Sequence, residues 1–307
     1  METFAEPGTG RVRSQSAPAQ GRILGGVLTM TGSGISNQIG AGIGAHAFSA
    51  VGPAGVVAVR QLVAAAVLLP VARPPLHRFT WRQWWPTILL GAAIALMNIC
   101  LYVAIQRIGL GLAVTLEFLG PLAIALMRSR TWLDMLCAAC AGCGVYVLVL
   151  PGPSSDFAGI GIAMAAAACW AAYIVLNRVA GQRLPGLQAP AAATAVSLVF
   201  YLPVATYLVA QGSLSGPALG YSVVAGVLCS VIPYAADLIA LRHIQPGFFG
   251  VYMSINPLLA ALSGTIVLGQ FLVLHEWLGM AVIVATNVAA ILLAGRCRRR
   301  SVPASPG

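Results

Sequence analysis

Glu117 and Asp237 have the most chemistry to offer of any residues in this chain. Each lies inside a long apolar run of a protein that is only 8% charged. A carboxylate in hydrocarbon costs about 2.5 kcal/mol or more, so such a residue faces a cavity or a partner and marks a substrate or ion path. Each also stands four positions from a proline, Glu117 before Pro121 and Asp237 after Pro233. Four residues is about one helical turn, so acid and proline share a face. Proline leaves a carbonyl unbonded and weakens the helix there. An acid beside a broken helix, twice, at membrane depth, reads as a transport pathway.

Glu117 reads as a proton carrier or as a ligand for a substrate ammonium. The plain alternative is a protonated acid bonded to a neighbouring helix. Asp237 has the same two readings but lies about one turn from the end of its span. Arg60, in Val57-Ala58-Val59-Arg60-Gln61, could clamp a substrate carboxylate, which a guanidinium matches bidentately. It could equally pair with an acid as a structural bridge. Asn98 and Tyr102 stand at i, i+4, and Trp170, Tyr173 and Asn177 at i, i+3, i+7, so each set forms one polar-aromatic face. These faces either line a cavity or join helices by hydrogen bonds. Ser36, Asn37 and Gln38 point to a wet side of the first span, and Trp81, Trp84 and Trp85 read as an interface anchor.

The elements that position these residues are membrane spans. The chain has 307 residues, 59% of them hydrophobic, with a mean hydropathy of +0.89. That is the composition of a polytopic membrane protein. Ten apolar segments approach the ~20 residues needed to cross a bilayer. They cover 22–44, 54–72, 84–106, 109–127, 131–150, 157–180, 187–210, 217–241, 246–268 and 272–295. Residues 1–21 lack an apolar core and are expected to form a disordered tail, with 296–307 a basic one. The first span is too long for a signal peptide core and is expected to be an anchor.

All 17 basic side chains are arginine. With the N-terminus inside, every arginine except Arg60 and Arg107 falls on the cytoplasmic side, as the positive-inside rule requires. The two halves, 22–150 and 157–295, also resemble each other. At an offset of 136 residues Ala104, Ile108, Pro121 and Leu122 match Ala240, Ile244, Pro257 and Leu258. Five spans is an odd number, so the second repeat must insert upside down. Inverted repeats are a frequent build for secondary transporters, with the site near the midplane. The paired interruptions Gly120-Pro121 and Asn256-Pro257 mark where that site lies. The expected fold class is therefore an all-α polytopic membrane protein, ten transmembrane helices in two inverted five-helix repeats.

The net charge of +10 does not indicate nucleic acid, because the arginines are scattered singly rather than gathered on one face. Cys137, Cys140 and Cys143 have a ligand spacing but are expected to be a stripe of small residues at a helix interface. His46, His77, His243 and His275 lie in loops or at span ends, and none pairs at ligand spacing, so no metal or cofactor is expected. Without a phosphate-binding loop, the energy source is a gradient or an exchange partner.

Ten spans in two five-helix repeats resemble the EamA-type families of the drug/metabolite transporter superfamily. The run Leu116-Glu117-Phe118-Leu119-Gly120-Pro121-Leu122 is similar to the Leu-Glu-Phe-x-Gly-Pro-Leu motif of the threonine/homoserine exporter branch. The stretches 167–174, 232–234 and 251–264 also look like that branch, although Asn256 stands where an acid is expected before the proline. The resemblance implies a proton-coupled carrier exporting small solutes, amino acids among them, from a bacterium through its inner membrane. Both termini are then cytoplasmic. The expected partners are the solute, the proton and the lipid bilayer, with a homodimer left open. On this reading Glu117, Asn98, Tyr102, Trp170, Tyr173, Asn256 and Arg60 bind substrate, and Glu117 and Asp237 couple protons. The rival classes are an intramembrane enzyme acting on lipid, which the absence of histidine from the spans disfavours, and a scaffold or sensor, which has no use for buried acids.

Overall fold

A computed structural model describes residues 17–127, 132–150, 156–214, 216–233, 236 and 254–300. Among these residues every regular element is helical. The first half holds α1 (Ala17–Ala45), α2 (Phe48–Ala72), α3 (Trp81–Ile108), α4 (Leu110–Glu117), α5 (Leu119–Met127) and α6 (Trp132–Val149). The second holds α7 (Phe157–Gly181), α8 (Gln188–Ala210), α9 (Gly216–Gly226) running into a π turn at Val227–Val231, α10 (Asn256–Leu268) and α11 (Leu274–Arg300). With α4 and α5 as two pieces of one span, these occupy the ten expected spans. Helices α2, α3, α7 and α8 are each long and apolar enough to cross a membrane alone.

Helix ends follow local chemistry. Helix α1 begins at Ala17, inside the stretch expected as a disordered tail, because Pro18 is tolerated in a first turn. Helix α11 continues to Arg300, since arginine is a good helix former and its charge suits a helix C-terminus. Thr80 and Gln83 form a capping box that starts α3. The α4–α5 break falls at Phe118, where Pro121 has no N–H to offer the Glu117 carbonyl. Gly120 lets α5 lie directly on α7, because a Cβ there would collide with the Ala167 carbonyl oxygen.

The main pairings between the halves survive an exchange of the halves. Helix α2 packs on α8, the α4 span on α10, and α6 on α11, each pair mapping onto itself. Packing of α3 on α7 has its counterpart in α9 with its π turn on α1. Likewise α3 on α8 matches α9 on α2, and α4 on α7 matches α10 on α1. This is the pattern of two repeats related by a two-fold axis.

The cysteine stripe needs correction. Cys137 is buried, but Cys140 and Cys143 are exposed. Helix α6 meets α11 through Cys137, Ala141, Gly144 and Leu148 instead. Steps of three drift around a helix, whereas 4-3-4 steps stay on one face.

Candidate functional site

A cavity of about 260 Å³ lies at the centre of the bundle, walled by α1, α2, α3, the α4–α5 break, α7, the π turn and the start of α10. Arg60, Asn98, Tyr102, Glu117, Trp170, Tyr173 and Asn256 all border it. Seven residues spread over five spans in the sequence thus converge on one space. Asp237, the second expected acid, lies outside the described residues, as does Tyr234. Asn177 does not border the cavity.

Glu117 is the last residue of α4 and is 5% exposed. Among the described residues it has no hydrogen-bond or ion-pair partner, and Arg60 is the cation whose field reaches it. The Arg60 Nε donates to Ser230 Oγ at 3.5 Å. Its guanidinium also lies 5.4 Å from the centre of the Tyr102 ring, within cation–π range. The Tyr102 hydroxyl lies 3.9 Å from Cys229 Sγ, which donates to the Asn37 carbonyl at 3.1 Å. Trp170 stands edge-on to Phe118, with ring centres 4.6 Å apart, so the residue at the helix break is braced by α7. Asn98 turns its amide nitrogen onto its own helix, donating to the Ile94 carbonyl at 2.8 Å.

The π turn is the least expected part of the wall. Pro233 has no N–H for the Cys229 carbonyl, and the chain widens just before it. Ser36 Oγ donates to the Leu228 carbonyl at 2.8 Å. Ser36 therefore joins two helices, while its neighbours Asn37 and Gln38 border the cavity. A Cβ at Gly40 would lie 2.6 Å from Leu228 Cβ and 2.7 Å from Cys229 Sγ, so only glycine seats α1 this close.

Ser33, Gln61, Cys229 and Ser230 also border the cavity and were not singled out from sequence. Ser33 had a signal, since it lies on one α1 face with Met30, Asn37, Gln38 and Ala41. Cys229 and Ser230 had none, because an extra residue in a π turn shifts which side chains face inward.

The large apolar core gathers Ala47, Phe48, Val56, Tyr102, Ile105, Leu110, Ala163, Leu208, Ala225 and Ile283. Among the described residues, smaller clusters gather around Leu90, Ile94 and Ala193 and around Leu122, Cys137 and Ala290. Among the described residues no group of three His, Cys, Asp or Glu could hold a metal.

An all-helical, polytopic bundle around a polar chamber at mid-depth is the architecture of a membrane transporter. The chain belongs to the EamA-like transporter family, whose signature covers residues 157–292. It is 32% identical to the threonine/homoserine exporter RhtA of Salmonella typhimurium over 260 residues, 84% of this chain and 88% of that protein. The Escherichia coli K12 exporter of the same name is also 32% identical, over 263 residues and the same shares. The uncharacterized transporter YwfM of Bacillus subtilis is 25% identical over 217 residues, 67% of this chain and 72% of that one. This kinship places the chain among transporters of small metabolites rather than among enzymes.

Proposed function

We propose that this protein exports small amino acids, threonine and homoserine among them, across a bacterial inner membrane in exchange for protons. The observation that carries this reading is the meeting of Glu117 and Arg60 at one cavity. An amino acid is a zwitterion, so its site must offer both signs of charge at close range. Glu117 takes the ammonium, and Arg60 takes the carboxylate as a planar fork. Tyr102, Trp170 and Tyr173 wall the space, and Asn98 and Asn256 supply polar edges. The start of α10 at Asn256-Pro257 adds backbone N–H groups that suit a carboxylate. The kinship with exporters named for threonine and homoserine supports the substrate class.

Proton and ammonium compete for the same Glu117 carboxylate. Loading one excludes the other, which is the logic of an antiporter, and net export follows from an inward proton gradient. Asp237 is the second candidate for the proton. The arginine distribution supports cytoplasmic termini, with 22–150 and 157–295 as the two repeats.

Glu117→Gln keeps size and hydrogen bonding but cannot titrate. In proteoliposomes carrying a proton gradient it abolishes uphill export while leaving threonine-for-threonine exchange measurable. Gradient-driven export at the wild-type rate would remove Glu117 as the coupling site.

A further inference from the structure

Two glutamines in the cavity wall have no assigned work. Gln38 on α1 is 3% exposed and Gln61 on α2 is 4% exposed, and both border the cavity. Among the described residues neither side chain has a hydrogen-bond partner. They also differ from sealed orphans: the buried polar atoms enclosed by packing without a partner are Ser197 Oγ and Asn287 Nδ2. The two amides instead open on the chamber. Each brings two donors and an acceptor oxygen. An amide kept from bulk water and left unmatched is costly, so something in the loaded chamber must answer it.

We propose that Gln38 and Gln61 determine substrate specificity by reading a hydrogen-bonding group on the substrate's side chain. This rests on the amino-acid reading above. Glu117 and Arg60 answer the two charges that every amino acid carries, and therefore cannot tell one amino acid from another. Gln38 and Gln61 are buried polar groups of the wall that answer neither charge. A side-chain hydroxyl can donate to one amide and accept from another. A methyl group of the same volume can do neither and would strand both amides in a dry site. Sites built to bond a substrate hydroxyl reject the analogue lacking it far more strongly than apolar pockets separate substrates by size.

Threonine and valine are the test pair, since they differ by a hydroxyl for a methyl at nearly constant shape. Full-length wild type, Gln38→Met and Gln61→Met are reconstituted, and counterflow of labelled threonine and valine is measured on each preparation. The threonine-to-valine ratio is internal to one preparation, so it does not depend on how much protein inserted correctly. Wild type is expected to favour threonine, and each methionine variant to lower the ratio about tenfold or more while valine counterflow persists. The alanine variants at the same positions serve where a methionine form does not insert. An unchanged ratio in both variants overturns the assignment, and so does a parallel loss of both substrates in both. Wild type that treats threonine and valine alike overturns it too, leaving amino-acid export intact. Wild type that carries neither overturns the amino-acid reading and the assignment together.

Discussion

The Arg60 guanidinium lies over the Tyr102 ring at 5.4 Å, while its Nε is engaged by Ser230. One cation thereby ties α2 to α3 and to the π turn of the other half. Tyr102→Phe keeps the ring and should transport nearly as wild type. Tyr102→Leu removes the π face and should raise the half-saturation concentration about tenfold, in line with a desolvated cation–π contact. Arg60→Lys keeps the charge but loses the fork, and should fall below Tyr102→Leu. Unchanged half-saturation in Tyr102→Leu would remove the ring from any role in seating Arg60. Counterflow kinetics measure all three.

Gly120 is the tightest point of the α5–α7 contact. Gly120→Ala forces α5 off α7 and should cost about 1–3 kcal/mol, the range of overpacked cores. Gly142→Ala on α6 is the matched control, since a Cβ there meets nothing within 4 Å. Thermal unfolding in detergent should separate the two by several degrees. Equal stability would contradict the packing described here.

Beyond the spans, Arg107 donates twice to Asp156, through Nε and Nη2 at 2.9 Å each. The hydrogen bonds from Arg107 hold the Asp156 carboxyl below its ordinary range. A carboxyl depressed in the folded state contributes stability above its unfolded value and loses it as pH falls through the folded one. Both groups are exposed, so the effect is small and weakened by salt. Asp156→Asn keeps the cap on Gly159 but not the charge. Its unfolding temperature should lie slightly below wild type at neutral pH and converge with it as pH falls below the ordinary aspartate range. A constant gap across that range would exclude the ion pair as its source.

Orientation is open to a direct measurement. A reporter fused after Gly307 should report a cytoplasmic C-terminus, because Arg296, Arg298, Arg299 and Arg300 resist translocation. A periplasmic signal would overturn the ten-span topology.

The scaffold was legible because its determinants act one residue at a time. Span length, arginine placement and the Glu117–Pro121 break each follow from local physics, although α1 and α2 start five and six residues earlier than those signals put them and the limits expected at 241 and 246 lie outside the described residues. The seven residues expected at the site do border one cavity, since buried polar side chains in an apolar bundle have few other places to face. What stayed hidden depends on register and on packing. The π turn brings Cys229 and Ser230 inward by an insertion that periodicity does not record. Ser36 is expected on a wet side but bonds the Leu228 carbonyl, while Asn98, expected to line a cavity or join helices, borders the cavity and bonds its own helix at the Ile94 carbonyl. The cysteines at 140 and 143 drift off the buried face for the same geometric reason. Gln61 was overshadowed by its charged neighbour Arg60.

The self-mapping of the pairings between halves carries a kinetic consequence. A conformation in which the halves trade roles keeps every one of those pairings. The backbone contacts then weigh almost equally on the two sides, and the balance falls to side chains that have no twin, Phe48 against Tyr102 foremost. Trimming Phe48, which does not border the cavity, would change how long the protein dwells on each side. Turnover would shift while half-saturation stayed put, so the speed of this carrier is written in the mismatch between its two copies.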